Sequence, residues 1–239
     1  SWEIRLYLGH DPTGRKLYES QSFKGNKKAA QAEVARLVHE LETGAYVSPA
    51  KLTLAEYLER WLQDYASINV SGKTLERYQS IVKHHLAPAF GHLPLSKLRP
   101  LHIQAHYAEA LKDGARKDGR KGALSPQSVL HHHRLLREAL QQGVRWQLLA
   151  RNPADAVEAP RVRSREVQPL DETQTAWLLE AAQGTRLYVP IMLAVCCGLR
   201  RGEVLAAQWA DLNLFPGTLS VRRSLEETKA GLTFKEPKS

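Results

Sequence analysis

From Leu187 to Cys197 the chain is apolar almost without interruption, with Pro190 near the start of the run. The run is too short to span a bilayer, and a helix that is apolar on every side wants cover on every side. It therefore reads as a helix buried in a folded core. Gly198 follows, a residue able to take the left-handed conformation that ends such a helix. Arg200 and Arg201 come next, and a second helix is predicted to start there, with Val204, Leu205 and Trp209 as its apolar side. Arg200 and Glu203 are three residues apart and share one face of its first turn. A guanidinium held at the edge of a packed helix pair is rigid and partly desolvated, which suits a planar, forked contact with a phosphate. The same spacing also makes a plain structural ion pair, and spacing alone does not separate the two. Cys196 and Cys197, side by side in the apolar run, are expected to be small core residues of a protein kept in a reducing compartment. One adjacent pair provides neither a disulfide framework nor zinc spacing.

The chain has 239 residues, 43% of them hydrophobic, and a formal net charge of +9. That hydrophobic content is enough for folded domains, and the charge favours a polyanionic partner, nucleic acid above all. There is no long apolar span and no visible leader or lipidation signal, so no membrane attachment is expected.

Four stretches divide the chain. In residues 1–48, Trp2, Ile4, Leu6 and Leu8 alternate with Glu3, Arg5 and Tyr7, the period of a half-buried strand. Gly9 to Gly14 is turn chemistry, and a return strand is predicted from Arg15 to Phe23. Asn26 is placed to cap a helix whose stripe is Ala30, Val34, Leu37, Val38 and Leu41, with Gly44 ending it. Arg5, Arg15, Lys16, Lys24, Lys27 and Lys28 lie on the solvent side with Tyr7 and Tyr18. Such a face is either merely solvated or a ribbon that enters a DNA groove.

Residues 52–157 read as four or five helices. Thr53 and Glu56 have capping-box spacing, and Leu54, Tyr57, Leu58, Trp61, Leu62 and Tyr65 follow at helical intervals. Thr74 is expected to cap a second helix, with Leu75, Tyr78, Ile81, Val82 and Leu86 inward. After the turn at Phe90-Gly91, Pro100 starts a third helix through Leu101, Ala105, Ala108 and Leu111. Ser125-Pro126 opens a fourth, with Val129, His133, Leu136, Leu140 and Val144 on one side. Between these two lies a Gly-rich basic loop from Lys112 to Lys121. Lys73, Arg77, Lys83, Arg116, Lys117, Arg120, Lys121, Arg134 and Arg137 are candidates to line a DNA backbone. His131, His132 and His133 point three ways on a helix and cannot share one metal, and neither can His84 and His85. Surface or backbone-contacting roles are expected for them, and no metal or other cofactor is expected anywhere.

Residues 158–168 form a charged linker whose Arg161, Arg163 and Arg165 would face one polyanion if extended. Residues 169–239 open with Asp171 capping a helix through Trp177, Leu178 and Ala181, followed by the apolar helix and the arginine pair. Gly217 to Leu225 alternates like a strand, Thr228 to Gly231 is a turn, and Leu232 to Glu236 returns.

Gly198 to Leu205 with Trp209-Ala210-Asp211 resembles the first conserved box of the tyrosine recombinases, the phage-integrase family. The succession Thr53 to Tyr65, Lys73 to Tyr78, Phe90-Gly91 and Arg151-Asn152-Pro153-Ala154 resembles the core-binding domain of the same family. The front 48 residues are similar in layout to arm-type DNA-binding domains. The resemblance implies a mainly α chain with small β elements: a short sheet plus helix, a SAM-like helical domain, and the start of a mixed α/β catalytic domain. It implies that Arg200 contacts the scissile phosphate, that Glu203 supports it, and that Lys238, or second Lys235, is the general acid; Arg201 is a further candidate DNA contact. It further implies a 3′-phosphotyrosyl intermediate formed without metal or nucleotide, arm-type and core-type sites on double-stranded DNA, a homotetramer there, accessory DNA-bending proteins, and a bacterial cytoplasmic setting on the nucleoid. The His-x-x-Arg box and late tyrosine of the family have no match here, and Tyr188 does not fit the nucleophile's context. The expectation is a DNA-binding front portion of a longer recombinase. The alternatives are a non-catalytic regulator or accessory factor of the same architecture, and a helical interaction module with incidental charge. The last would bind DNA without steep salt dependence.

Overall fold

The structure, a computed structural model, describes residues 1–10, 14–42, 52–112, 122–163 and 166–238. It is mainly helical, with three small antiparallel two-stranded sheets among the described residues. It divides into two compact units: Ser1–Gln63 with Ser80–Val162, and Asp64–Gln79 with Arg163–Ser239.

The first unit begins with β1 (Trp2–His10) and β2 (Lys16–Phe23), paired antiparallel with Tyr7 opposite Tyr18 and a bulge between Tyr7 and Gly9. Helix α1 (Lys27–Glu42) follows, and Asn26 Oδ1 accepts the Ala29 N–H at 2.8 Å, the predicted cap. Ile4, Leu6 and Leu37 form a small buried cluster with Phe23 and Leu41 against it. Val34 and Val38 of the predicted stripe are left exposed, so the buried face is narrower than the apolar pattern. The turn at residues 11–13 and the helix stop at Gly44 lie outside the described residues.

Helix α2 (Leu54–Trp61) starts on the predicted capping box: Glu56 N–H donates to Thr53 Oγ1 and Thr53 N–H to Glu56 Oε2. Its chain runs on through a π-helical turn, Leu62–Ala66. Helix α3 (Gly72–Ile81), whose residues 72–79 belong to the second unit, likewise continues through a π turn, Val82–Leu86, into Ala87–Phe90. It starts at Gly72, so Thr74 is within the helix and not its cap. The Thr74 hydroxyl instead pairs with that of Ser71 at 3.0 Å, just ahead of the first turn. Helices α4 (Pro100–Ala110) and α5 (Pro126–Arg145) complete the bundle, α5 capped by Ser125.

Leu54, Tyr57, Leu58, Trp61, Leu86 and Ile103 are fully buried there with Tyr107, Val129, Leu135, Leu136 and Leu140. Each aliphatic or aromatic side chain of this set contributes roughly 1.5–3 kcal/mol by leaving water. Tyr57 Oη satisfies itself by donating to the Ala139 carbonyl at 2.5 Å inside the core, and burial raises its pKa. On α4 the expected stripe is rotated. Leu101 and Leu111 are exposed, while Ile103, Tyr107 and Ala110 face in. Two aromatic or β-branched side chains bury more area than the alanines of the alternative face.

His132 overturns the surface role expected for the histidines. It is 2% exposed, its Nδ1 lies 3.2 Å from His106 Nε2, and its ring sits 4.7 Å from that of His85. His133, on the side of α5 that the sequence marks as apolar, meets Tyr107 Oη at 3.2 Å. The imidazole is small enough to pack as a core residue when another ring nitrogen completes its hydrogen bonding.

In the second unit, α6 (Glu172–Ala182) is capped by Asp171, whose Oδ1 accepts the Gln174 N–H at 2.7 Å. Trp177 is exposed on it and Ala182 is the residue that is buried. Helix α7 (Tyr188–Cys197) is the apolar run, and it corrects the sequence reading most sharply: none of its residues is buried, and Cys196 and Cys197 are exposed. Apolarity states that a segment needs cover but not which residues provide it. Among the described residues α6 and α8 (Arg201–Ala206) touch this helix without enclosing it. Helix α8 ends before Trp209, and its buried residues are Glu203 and Ala206, while Leu205 and Trp209 are exposed. The predicted strand from Gly217 to Leu225 is two strands. Thr218–Leu219 (β4) pairs with Leu212–Asn213 (β3), and Ser224–Thr228 (β5) pairs with Gly231–Lys235 (β6) through the predicted turn. No described helix is long and apolar enough to cross a membrane.

Burial first, then the neighbouring His85, His106 and His131, lowers the pKa of His132 from 6.5 to about 3. A depressed histidine pKa leaves stability intact above the unfolded value and erodes it as pH falls below 6.5 toward 3. Each pH unit in that window costs about 1.4 kcal/mol, hence about 2 kcal/mol by pH 5. Urea unfolding of His132→Leu between pH 7 and 5 is expected to show a flatter pH dependence than the wild type. Parallel profiles would contradict the assignment.

Candidate functional site

The turn between α7 and α8 builds the site. Gly198 has φ 66° and ψ 22°, the predicted left-handed stop. The chain then runs extended through Arg200, at φ −73° and ψ 151°, and enters α8. Glu203, in the first turn, reaches back: its Oε2 accepts the Arg200 backbone N–H at 2.9 Å and its Oε1 accepts from Arg200 Nη1 at 3.0 Å. The Glu203 side chain is 7% exposed and that of Arg200 64%. The backbone N–H of Arg200, then its side chain, hold the Glu203 carboxyl below its ordinary pKa of 4.5. Arg200 Nη1 also donates to the Lys238 carbonyl at 2.8 Å, tying the segment just past β6 (Gly231–Lys235) to the arginine. Among the described residues Nε and Nη2, the other edge of the guanidinium, have no partner.

Strand β5 lies against α8 where Gly202 leaves room. A Cβ there would stand 2.9 Å from the Leu225 carbonyl oxygen. An open pocket of about 320 Å³ results, lined by Lys73, Arg200, Arg201, Lys235 and Lys238 together with Glu203, Glu226 and Glu227. Lys235 is committed to an ion pair with Glu226, whereas the Lys238 ammonium has no hydrogen-bond partner among the described residues and only its charge is felt by Glu226. Asp211, quoted in the sequence only as part of a motif, is a buried brace below the site. Its Oδ2 accepts the Gln208 N–H at 3.0 Å, its Oδ1 takes Arg223 Nη2 at 2.6 Å, and Arg223 Nη1 donates to Gln208 Oε1 at 2.6 Å. Burial acts to raise its pKa, yet the Gln208 amide and the Arg223 guanidinium together hold it below the usual value. No sequence spacing marks Arg223 as its partner.

Of the other predicted contacts, Arg5, Arg15, Lys16, Lys83, Arg134 and Arg161 are exposed in the first unit, and Lys73, Arg77, Arg163 and Arg201 in the second. Arg5 stacks over the Tyr18 ring at 4.5 Å on the outer face of the β1–β2 hairpin. Arg137 is spent on Asp155 at 2.7 Å and Lys73 reaches Glu76 at 3.4 Å. Arg116, Lys117, Arg120, Lys121 and Arg165 lie outside the described residues. Among the described residues no cluster of histidine, cysteine, aspartate or glutamate is arranged to hold a metal ion.

Residues 53–111 match the family described as phage integrase, N-terminal SAM-like domain. An integrase of Saccharopolyspora erythraea is 27% identical over 228 residues, which cover 94% of this chain and 50% of that protein. A tyrosine recombinase XerC-like protein of Caldanaerobacter subterraneus is 21% identical over 95% of this chain and 57% of its own length. The chain thus spans about half the length of the curated relatives it matches. In fold it is similar to the Tn1549 transposon integrase solved in complex with circular intermediate DNA, with a TM-score of 0.61 and 17% identity over 77% of this chain and 59% of that one. It is also similar to lambda integrase solved as a dimer bound to a core site, with a TM-score of 0.53 and 20% identity over 95% and 62%.

Glu203→Gln is expected to lower the melting temperature at neutral pH, because the glutamine cannot be a charged partner to Arg200. The lowered Glu203 pKa means that its contribution is present above 4.5 and fades as pH falls through the folded value. The melting curves of variant and wild type are therefore expected to converge under acid. A constant gap down to pH 3 would contradict this.

Proposed function

We propose, from the premise that this chain is a homologue of the tyrosine-recombinase integrases with their fold, that the protein cuts and rejoins DNA at specific sites through a 3′-phosphotyrosyl intermediate. A tyrosine oxygen gives up its proton and attacks the phosphorus. The bond to the 5′ oxygen breaks, and that oxygen takes a proton to leave as a hydroxyl. A hydroxyl of a second strand then reverses the step. Tyr188, within α7, is not assigned the attacking role.

The observation that carries this reading is the open Nε–Nη2 edge of Arg200, an arginine anchored through Nη1 to Glu203 and the Lys238 carbonyl. A fork fixed in this way meets two oxygens of one phosphate and offsets charge that develops on them without reorganising. Glu203 keeps the fork in place. Lys238 is the general acid, favoured over Lys235 because Lys235 is held by Glu226. Arg201 and Lys73, on the rim of the same pocket, are suited to adjoining phosphates. The substrate is double-stranded DNA in a bacterial cell, with Arg5, Arg15 and Lys16 of residues 1–48 on arm-type sites. Arg77, Lys83, Arg134, Arg161 and Arg163 serve core-type sites, and a homotetramer assembles there, aided by DNA-bending partners.

In the protein carrying its nucleophile, Arg200→Lys is expected to reduce trapping of the covalent DNA adduct by about 10²-fold or more while gel-shift affinity stays close to wild type. Adduct formed at the wild-type rate would refute the role of the fork. Deleting residues 1–48 is expected to weaken binding to one class of DNA site and to spare the crossover site. Equal losses at both in a gel-shift titration would refute an independent arm domain.

A further inference from the structure

Two carboxylates cross, in opposite senses, between the β5–β6 hairpin and the first turns of α3. Glu226 on β5 accepts the Lys73 backbone N–H through Oε2 at 3.4 Å. Glu76 on α3 accepts the backbone N–H of Lys229, in the turn of the hairpin. Gly72 lies at the closest approach, where a Cβ would meet Thr228 Cγ2 at 3.1 Å and Glu226 Oε2 at 3.5 Å. Glu226 turns its remaining oxygen, Oε1, to Lys235 Nζ. Both oxygens of a side chain only 11% exposed are thus engaged, one by a backbone and one by an ammonium.

We propose that Glu226 is a positioning residue for strand cleavage: by holding the α3 backbone and Lys235 together it fixes the hairpin so that β6 delivers Lys238 to Arg200, and it leaves one ammonium to serve as acid. This rests on the reading of Lys238 as the acid. Lys235 ends β6, Lys238 lies three residues beyond it, and both line one pocket. A second unpaired ammonium there would favour loss of a proton from the first and would compete for the phosphate. Paired to Glu226, Lys235 does neither. Glu76 performs the simpler task of fixing the hairpin turn, and the Arg200 contact to the Lys238 carbonyl fixes the other end. Glu226 touches no reacting atom. It acts through Lys238.

The test compares two DNA substrates in the protein carrying its nucleophile, one with the natural 5′ oxygen at the scissile phosphate and one with sulfur in its place. A thiolate leaves without needing a proton, so sulfur cancels a defect in the acid alone. Lys238→Ala is expected to lose about 10²–10⁴-fold on oxygen and to recover on sulfur. Glu226→Gln retains an oxygen for the Lys73 N–H but no charge for Lys235. It is expected to lose about tenfold on oxygen, to recover on sulfur, and to bind DNA as the wild type does. Glu76→Gln, which leaves the Lys235 pair intact, gives a smaller loss with the same recovery and serves if Glu226→Gln does not fold. Wild-type cleavage of the oxygen substrate by Glu226→Gln overturns the proposal, as does a loss that sulfur does not relieve. If Lys238→Ala itself fails to recover on sulfur, the acid assignment is wrong and the proposal falls with it, a result distinct from the first two.

Discussion

The site depends on one carboxylate reaching backwards. Glu203 satisfies a backbone N–H at the start of α8 and holds one nitrogen of Arg200, so a single buried side chain caps the helix and orients the arginine. Without it the arginine would be one more mobile surface cation, of the kind whose ion pairs contribute little. With it, the guanidinium has one edge anchored and one edge free. That asymmetry makes a forked phosphate contact possible, since a fork needs a fixed origin to have a fixed direction. The Lys238 carbonyl adds a second anchor from a segment 38 residues on, so the same arginine organises the end of the hairpin.

Around it the charges are arranged as cations restrained by individual carboxylates. Glu226 has Lys235, Asp211 has Arg223, and Glu76 has Lys73. Each pairing removes freedom from a cation without removing the excess of positive charge over the pocket. Lys238 is the lysine there whose ammonium makes no hydrogen bond among the described residues, although its charge helps to lower the Glu226 pKa.

Much of this was legible in the sequence because it is local. The capping boxes at Thr53 and Asp171, the Asn26 cap, the Gly198 stop, the hairpin turn at Thr228 to Gly231 and the Arg200–Glu203 face all involve residues within four positions of one another. Turn chemistry and helical spacing are enough to place them. What failed required knowledge of partners. The stripe on α4 was rotated because alanines and leucines suggest a face without saying which neighbour has room for it. The polarity of His132 points to the surface, and the His106 nitrogen that lets it be buried has no mark in the sequence. The composition of helix α7 asks for burial, but cover depends on neighbours that composition does not name. Asp211 finds Arg223 twelve residues on, and Glu226 finds Lys73 across 153, so neither pairing has a signature in spacing.

The last of these separations has a kinetic meaning. A chain leaving the ribosome presents α3 long before β5 has been synthesised, and closing so long a loop is entropically slow compared with assembling helices from near neighbours. The helices of residues 53–111 can therefore settle while Lys73 and Glu76 still face water. The β5–β6 hairpin is then ordered against residues already made. The end of the chain that meets Arg200 is therefore set last, on a surface that earlier-made residues have already shaped.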